Sequence, residues 1–456
     1  MENQTLRKTL KPIHLWSIAV GMVISGQYFG WNYGFSEGGV IGMTIASLLV
    51  TVFFACFIFS YAELSTSIPN AGGPSAYAAR AMGPFGGYAA GIACLLEFVF
   101  APPAIAVSTG AYVHFLVPAV SPVWVTTGVF VLFIVINMVG MKGAALIELV
   151  ATVIALVGLA LFYTAGLPHV SLDRLVPAEA SPTTMGGVLA AVPFAIWFFL
   201  AIEGGAMAAE EVENPKRDIP RGFISGIVTL AAATVLTLLV TAGLGGGEGA
   251  PADYPLPQAL SNVYDEGNWT VVAVTVIGLV GLIASLHGII IGYSRQTYAL
   301  SRAGYLPKFL SRLNRRGVPV WGLIIPGAIG VVCAGSAAFA SALIELAVFG
   351  AVLMYCLSMI SLFILRFKEP KLERPFRVAF PVVPAVALAL GLLFLFCVVR
   401  YSMLVKTMPV LGVNVPLWAV VAAIYAAAFL YYAVKGRHSV TADRAVIAEQ
   451  PLVQNR

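Results

Sequence analysis

The sequence predicts an all-α polytopic membrane protein with twelve transmembrane helices. Of its 456 residues, 59% are hydrophobic and only 10% are charged, which excludes an ordinary soluble protein. Apolar runs long enough to cross roughly 30 Å of hydrocarbon recur along the whole chain. Glycine and acidic residues interrupt two of these runs at mid-span, which indicates helices that are broken inside the membrane.

The predicted spans occupy most of the chain. The first six are 13–36, 38–64, 85–116, 123–140, 143–166 and 186–209, and the second six are 222–244, 269–293, 320–339, 341–365, 378–399 and 413–432. The segment before residue 13 is polar and basic and leads directly into a full-length apolar run, so we expect the first span to stay in the mature protein.

The distribution of basic residues predicts the orientation. With the N-terminus in the cytoplasm, Arg174, Arg400 and Lys406 are the three of the 26 Lys and Arg residues that fall on the outer side. We therefore expect an inner (plasma) membrane protein with both termini cytoplasmic. The net charge of +5 follows this topology, so we expect the lipid bilayer as a partner and no nucleic acid.

The outer connection at 245–268 is acidic. It carries Glu248, Asp253, Asp265 and Glu266 and has no Lys or Arg. One interpretation is a solvated loop, and the other is a weak funnel that concentrates cations at an entrance.

The five cysteines, Cys56, Cys94, Cys333, Cys356 and Cys397, lie in apolar runs without a CxxC pair. This pattern is typical of small buried hydrophobic residues, so we expect no metal site, no disulfide and no cofactor.

Span 6 carries Glu203, followed by Gly204 and Gly205, in the middle of an apolar run. An acidic side chain at membrane depth costs about 2.5–3.5 kcal/mol, so it should face a cavity or a partner. Each glycine weakens the helix by about 1 kcal/mol relative to alanine. These residues predict a discontinuous helix whose free backbone groups and carboxylate line a substrate site.

Span 1 is interrupted in a similar way by Gly21, Ser25, Gly26 and Gly30. Spans 1 and 6 lie five spans apart, so they cross the membrane in opposite directions. Two glycine-broken spans at matching positions of inverted halves indicate the binding site of a secondary transporter. The alternative is that the glycines serve close helix packing.

Several longer segments resemble the amino acid, polyamine and organocation (APC) transporter superfamily. These are YAELSTSIPNAGGPSAY at 61–77 after span 2, EEVENPKRDIPRG at 210–222 after span 6, and LSRAGYLP at 300–307 after span 8. Within the superfamily, SGQYFGWNYGF in span 1 and LLEFVFAPPAIA in span 3 are most similar to ethanolamine permeases.

The resemblance implies a 5+5 inverted repeat, with spans 1–5 and 6–10 as the two repeats and spans 11 and 12 outside them. The chain would form a cytoplasmic segment at 1–12, one transporter domain at 13–434 and a cytoplasmic tail at 435–456. Repeat one would cover about 13–166, repeat two about 186–366, and spans 11 and 12 about 378–432. The substrate would lie between the unwound parts of spans 1 and 6.

Two motifs of the superfamily differ here. The usual Gly-Ser-Gly, whose amides hold a substrate carboxylate in amino-acid members, is replaced by Ile24-Ser25-Gly26. Where some members carry a lysine in span 5, alignment from Gly140 and Lys142 places Ala155.

The acidic residues inside the spans are Glu97, Glu148, Glu203 and Glu345, and basic residues are nearly absent there. This imbalance favours a cationic substrate. Glu203 is the first candidate, because it adjoins the predicted break and matches the superfamily's span 6 acid, which polyamine-type members link to substrate amines. The structural alternative is a protonated glutamate bonded to a neighbouring helix.

Aromatic residues flank both breaks. Tyr28 and Trp31 lie in span 1, and Trp197 and Phe199 lie in span 6. Ring faces within about 6 Å of an ammonium group stabilise it by about 2 kcal/mol when desolvated, so Tyr28, Trp197 and Phe199 are candidate ligands. The alternative is an interfacial aromatic belt.

Other polar residues within the spans are candidates for substrate contact or ion coupling. Glu97, one turn before Pro102-Pro103, could face the same cavity or carry a proton. Glu148 could take part in coupling or bond a neighbouring span, and Glu345 is expected to be structural.

Span 8 contributes Ser285 and His287. Ser285 could build a sodium site with carbonyls of the span 1 break. His287 could relay a proton or form a helix-to-helix hydrogen bond.

The segment 210–221 contains four acids and three bases. Their near balance predicts ion pairs that shape an inner gate.

Together these features predict a secondary active transporter that imports a small cationic amine, with ethanolamine as the first candidate, by alternating access. A coupled proton or sodium ion is left open. The alternatives are an amino-acid or polyamine permease of the same fold and, more remotely, a membrane enzyme or sensor. We expect no enzyme, since HExxH, GxSxG and Walker motifs are absent from the sequence.

Overall fold

The computed structural model describes residues 9–139, 144–176, 183–247, 251–334, 339–410, 413–437 and 440. Glu248, the Gly140 and Lys142 reference positions and nearly all of the predicted tail from residue 438 onward lie outside these ranges.

The first half of the described chain is helical apart from short turns. Its helices are α1 Pro12–Val23, α2 Ser25–Tyr28, α3 Gly34–Ser67, α4 Pro74–Met82, α5 Pro84–Leu116, α6 Pro122–Val139, α7 Ala144–Gly166 and α8 Leu172–Leu175. Short 3₁₀ turns at Trp31–Tyr33 and Leu167–His169 connect some of them.

The second half begins with the two pieces of predicted span 6. Its helices are α9 Met185–Ile196, α10 Pro215–Gly243, α11 Pro255–Ser261, α12 Trp269–Arg302, α13 Val320–Ala334, α14 Ala340–Lys368, α15 Val382–Cys397 and α16 Leu417–Tyr431. Further 3₁₀ and π-helical segments are Trp197–Phe199, Ile202–Glu211, Lys308–Ser311, Val398–Met403 and Tyr432–Gly436.

By length and composition, ten helical segments of the described chain are long and apolar enough to cross a membrane, which confirms a multi-pass membrane protein. In the predicted span 320–339, of which residues 335–338 lie outside the described ranges, α13 covers 15 residues, and the first half of span 1 is the 12-residue α1. Predicted spans 1 and 2 meet inside α3, where Gly39 turns the chain at φ 63° and ψ −174°. The count of twelve spans and the inverted repeat stay predictions.

The predicted start of span 12 at residue 413 is wrong. Val413–Pro416 forms strand β2, which pairs antiparallel with β1, Thr407–Val410. β-Branched valines favour extended backbone, and Pro416 precedes the first residue of α16, so the helix begins four residues later.

The core lies where the long helices of the bundle meet the pieces of spans 1 and 6. The long helix α5 packs along α14 and α12, while α3 packs along α9. The short helix α1 contacts α7, α10, α12 and the 3₁₀ segment Ile202–Glu211. This arrangement surrounds the interrupted backbone of spans 1 and 6 with protein on every side.

Candidate functional site

Span 6 is broken at Leu200 and Ala201. After the 3₁₀ turn Trp197–Phe199, Leu200 is extended (ψ 137°) and Ala201 adopts a left-handed conformation (φ 74°). Such backbone costs about 1–3 kcal/mol for a non-glycine residue and persists only where surrounding structure holds it. The break frees backbone groups at the centre of the bundle, two residues before Glu203.

The glycine pair is not the break itself, contrary to the sequence-based expectation. Gly204 and Gly205 lie within the 3₁₀ segment, where they allow close packing. A Cβ on Gly204 would lie 2.7 Å from the Met22 side chain, and one on Gly205 would lie 2.7 Å from Phe223. Their small size lets spans 1 and 7 approach the loosened half of span 6.

Span 1 is broken at Phe29 and Gly30. Phe29 is extended (φ −164°, ψ 156°), and Gly30 has φ 98°. The amide of Gly30 donates to Asn32 Oδ1 at 3.0 Å, and the hydroxyl of Tyr112 donates to the carbonyl oxygen of Tyr28 at 2.8 Å. Side chains therefore replace some of the backbone hydrogen bonds that the break removes.

The two breaks touch each other. A Cβ on Gly26 would lie 2.4 Å from the carbonyl oxygen of Trp197, and one on Gly30 would lie 2.3 Å from Trp197 Nε1. The side-chain amide of Gln27 (Nε2) donates to the carbonyl oxygen of Phe198 at 3.2 Å. Three of the predicted site residues, Ser25, Gly26 and Trp197, thus lie on adjoining backbone.

A pair of carboxyl groups lies beside this junction. Glu203 and Glu97 are both fully buried, and their carboxyl groups are close enough to interact electrostatically. The Tyr355 hydroxyl of α14 donates to Glu203 Oε2 at 3.0 Å. Within the described residues, Glu203 Oε1 and both Glu97 oxygens have no donor at good hydrogen-bond geometry.

No Lys, Arg or His of the described chain forms an ion pair with Glu97 or Glu203. Their other titratable neighbours are Tyr61, Cys94 and Tyr355, none of which carries a positive charge. Two adjacent carboxyl groups cannot both ionise at low cost without a counter-charge. The site therefore suits either a shared proton or a cation.

The aromatic candidates Trp197, Phe199 and Tyr28 contact different parts of the protein. Trp197 meets Phe29 edge-to-face at 6.3 Å, and its indole N–H has no acceptor among the described residues. Phe199 stacks on Phe54 at 5.0 Å. The Tyr28 hydroxyl donates to the carbonyl oxygen of Ala155 at 2.6 Å, which ties span 1 to span 5. The roles of Trp197, Phe199 and Tyr28 in substrate binding stay predictions.

Ser285 joins span 8 to the end of α1. Its hydroxyl donates to the carbonyl oxygen of Gly21 at 2.7 Å and accepts from the amide of Ser25 at 2.9 Å. The predicted proximity of Ser285 to span 1 carbonyls is therefore observed, but both partners are protein groups.

The other two coupling candidates are separate from the carboxyl pair. Glu148 lies against span 1, where a Cβ on Gly21 would be 2.2 Å from its Oε1, an oxygen with no donor in the described part of the chain. His287 Nδ1 lies 3.2 Å from the Asn137 amide of α6, which agrees with the helix-to-helix hydrogen bond. Neither contact tests a role in ion coupling.

Ion pairs join neighbouring elements near both ends of the bundle. On the predicted outer side, Lys406 Nζ binds Glu345 at 2.6 Å and Glu37 at 2.7 Å, and lies 4.7 Å from the Phe194 ring centroid. The expected structural role of Glu345 agrees with this contact. The sequence had indicated Lys406 only as an outer basic residue.

On the predicted inner side, the carboxylate of Glu63 is buried and binds Arg366 at 2.6 Å and Arg374 at 3.3 Å. Residues of the 210–221 segment also form ion pairs with helices and loops, as Glu211 does with Arg295 at 3.0 Å. Such pairs fit the predicted inner gate.

The outer loop covers span 1. The Asn32 amide donates to the carbonyl oxygen of Ala252 at 2.8 Å, and the Tyr33 hydroxyl donates to the Asp253 carboxylate. Burial raises the pKa of Asp253, and the hydrogen bond from Tyr33 partly offsets that effect. Asp253 thus joins the outer loop to span 1, and both interpretations of the acidic loop stay predictions.

Comparison with known proteins decides the family. A protein-family model described as amino acid permease matches residues 10–429. The chain belongs to the amino acid permease family. This confirms the resemblance to the APC superfamily, whose members are transporters. The permease is 30% identical over 327 residues to an uncharacterised transporter of Rhizobium meliloti, covering 68% of each chain.

Two further relatives are named for their substrates. A methylthioribose transporter of Bacillus subtilis is 26% identical to the permease over 87% of this chain and 89% of its own. A branched-chain amino acid permease of the same organism is 24% identical over 86% and 87%, respectively.

Sequence reasoning missed Tyr355, Cys94 and Tyr61 as neighbours of the carboxyl pair. In the sequence, the signal for Tyr355 is limited to a tyrosine hydroxyl inside a predominantly apolar span. Its partner lies 152 positions away, and no local pattern encodes that distance.

Proposed function

We propose that this permease imports a small cationic amine, with ethanolamine as the first candidate, through the inner membrane with both termini in the cytoplasm. The supporting observation is the buried pair of Glu97 and Glu203, which has no cationic partner within the described residues. An ammonium group would supply the missing counter-charge and donate hydrogen bonds to the three carboxyl oxygens that have none.

The ammonium would enter between the two breaks. Glu203 and Glu97 would hold the charge, and Trp197 and Phe199 would supply aromatic walls. The substrate hydroxyl would bond backbone groups near Ser25 and Gly26. Rocking of the helices around this junction would then release the substrate on the inner side.

A proton is the proposed competitor for the same carboxyl pair. In the empty site one proton shared between Glu97 and Glu203 lowers their mutual repulsion. Binding of the ammonium would displace that proton. Exchange of one external ammonium for one cytoplasmic proton would move no net charge. Uniport of the ammonium without that proton would let a membrane potential of 100 mV act on one charge with about 2.3 kcal/mol, which would concentrate the amine about fiftyfold.

The second candidate is an amino acid permease, which the family description and the branched-chain amino acid relative favour. A zwitterion needs donors for its carboxylate at the span 1 break. The Ser25 amide, four residues before the break at Phe29, already donates to the Ser285 hydroxyl at 2.9 Å. This occupied donor favours a substrate that has no carboxylate.

Uptake by liposomes that contain the purified permease tests the proposal. Labelled ethanolamine should enter, with inhibition by unlabelled ethanolamine and not by leucine, putrescine or methylthioribose. Parallel assays with and without sodium and at two external pH values separate the coupling ions. Leucine uptake that ethanolamine does not inhibit would overturn the proposal in favour of the second candidate.

A further inference from the structure

A groove runs along the bundle surface between the starts of α1 and α10. Its volume is about 1020 Å³, and its walls combine three basic side chains at one end with apolar ones beyond them. The lining residues that matter here are Lys216, Arg217, Arg221, Ile13, Trp16 and Val228.

The basic and apolar parts of the groove lie on one face of α10. Positions 217, 221, 224 and 228 are spaced by three or four residues, so they form one stripe of the helix. From residue 216 to residue 228 the helix rises roughly 18 Å, about the depth of one leaflet of the hydrocarbon core. Charge at one end and apolar surface along the remainder match a lipid headgroup and its chain.

Two of the three cations are free to bind an anion. Lys216 pairs with Glu373, but Arg217 and Arg221 are exposed and have no acidic partner in the described ranges. By contrast Arg80, Arg366 and Arg374 on the predicted inner side are each paired with a glutamate. Guanidinium groups match phosphate oxygens in a two-pronged geometry.

Hydrogen bonds hold together the two segments that border the groove, the start of α1 and the start of α10 with the residues before each. The Leu10 amide donates to the carbonyl oxygen of Glu211 at 3.0 Å, and the Glu213 amide donates to that of Leu10 at 3.0 Å. Deeper in the bundle, the Trp16 indole N–H donates to Thr229 Oγ1 at 3.1 Å. Beside these hydrogen bonds, Ile13 and Val228 remain 49% and 63% exposed to the surroundings of the protein. Their side chains therefore offer apolar surface for an acyl chain.

We propose that this groove binds one anionic phospholipid, with its phosphate on Arg217 and Arg221 and an acyl chain along Ile13, Ile224 and Val228. Basic pockets between membrane helices on the cytoplasmic side are suited to anionic headgroups. The bound lipid would join α1, the inner half of broken span 1, to α10. This inference does not depend on which substrate the permease carries.

Native mass spectrometry of the full-length permease tests the inference. Detergent-purified protein is mixed with phosphatidylglycerol or phosphatidylcholine of identical acyl chains. The wild type should retain phosphatidylglycerol preferentially. Each of Arg217→Gln and Arg221→Gln should weaken that binding about fivefold, and the double variant more strongly.

The matched control is Arg312→Gln with Arg315→Gln, which removes two exposed charges on the same predicted side but outside the groove. It should bind phosphatidylglycerol as the wild type does. An equal loss in this control, or full binding by Arg217→Gln/Arg221→Gln, would overturn the site. Displacement of the lipid by inorganic phosphate at equal concentration would also overturn it, because a soluble-anion site needs no acyl chain.

Discussion

Gly30 lies so close to the indole of Trp197 that a Cβ on residue 30 would come within 2.3 Å of Nε1. This contact brings the two interrupted helices together, and it requires both the missing side chain and the positive φ of Gly30. The junction is therefore a packed structure and not merely two flexible segments.

Gly30→Ala should accordingly lower the thermal unfolding temperature of the detergent-purified permease more than Gly39→Ala does. Gly39 also has a positive φ, 63°, but a Cβ added there would meet no atom within 4 Å. The control thus retains the backbone strain of about 1–3 kcal/mol without the clash. Equal decreases of the unfolding temperature in both variants would show that the close approach to Trp197 does not contribute to stability.

Glu203→Gln should weaken ethanolamine binding about tenfold to hundredfold, because a hydrogen bond to a charged group contributes about 1.5–3 kcal/mol. Isothermal titration calorimetry measures the affinity, and thermal unfolding checks the fold. Tyr355→Phe removes only the donor to Glu203 Oε2 and should have a smaller effect. Unchanged affinity in Glu203→Gln would refute its role as the ammonium ligand.

Glu97→Gln should reduce the number of protons released when the amine binds. In the wild type, the ammonium displaces the proton that Glu97 and Glu203 share, so about one proton should leave per amine bound. Calorimetry in buffers of different ionisation enthalpy counts these protons. Glu148→Gln is the control and should release as many as the wild type, whereas an unaltered count in Glu97→Gln would contradict the shared proton.

Lys406→Gln should destabilise the predicted outer side, since it leaves the buried Glu345 carboxylate without its cation. Breaking a buried ion pair costs about 3–5 kcal/mol, and the partial exposure of Lys406 reduces that figure. Glu345→Gln in the same chain should restore much of the loss. If the decreases in unfolding temperature of the two single variants simply add, the pair is not coupled. Arg400→Gln, at an exposed position, is the neutral control.

Arg80→Gln should alter the acid stability of the predicted inner side. The hydrogen bonds from Arg80 hold the pKa of Glu369 below its usual value, so the pair stabilises the fold above about pH 4.5 and loses that effect as pH falls. The unfolding temperatures of wild type and variant should differ at pH 7 and converge near pH 3. A constant difference across this range would show that Arg80 acts through packing alone.

The sequence predicted that span 6 would be interrupted, because two adjacent glycines, which weaken a helix, follow an acid in the middle of an apolar run. It misplaced the interruption by three residues. The glycines at 204 and 205 are used for packing against Met22 and Phe223, and the unusual backbone falls on Ala201, a residue type with no preference for φ above zero.

Pairings across the fold were less predictable. Glu97 could be suspected from its position before two prolines, but its contact with Glu203 depends on how α5 packs beside span 6. Lys406 and Glu345 are separated by 61 residues, and the local sequence around either residue does not predict their pairing. Such long-range partners follow from tertiary packing and not from periodicity.

The ion pairs of Lys406 show how the last part of the chain contributes to the packing of the bundle. This cation comes from the connection between α15 and α16, yet it neutralises acids in α3 and α14. A shortened protein that stopped after α14 would leave Glu37 and Glu345 repelling each other at the mouth of the bundle. The connection between the terminal helices thus supplies the counter-charge for two acids at this end of α3 and α14, even though these helices hold none of the groups proposed to touch the amine.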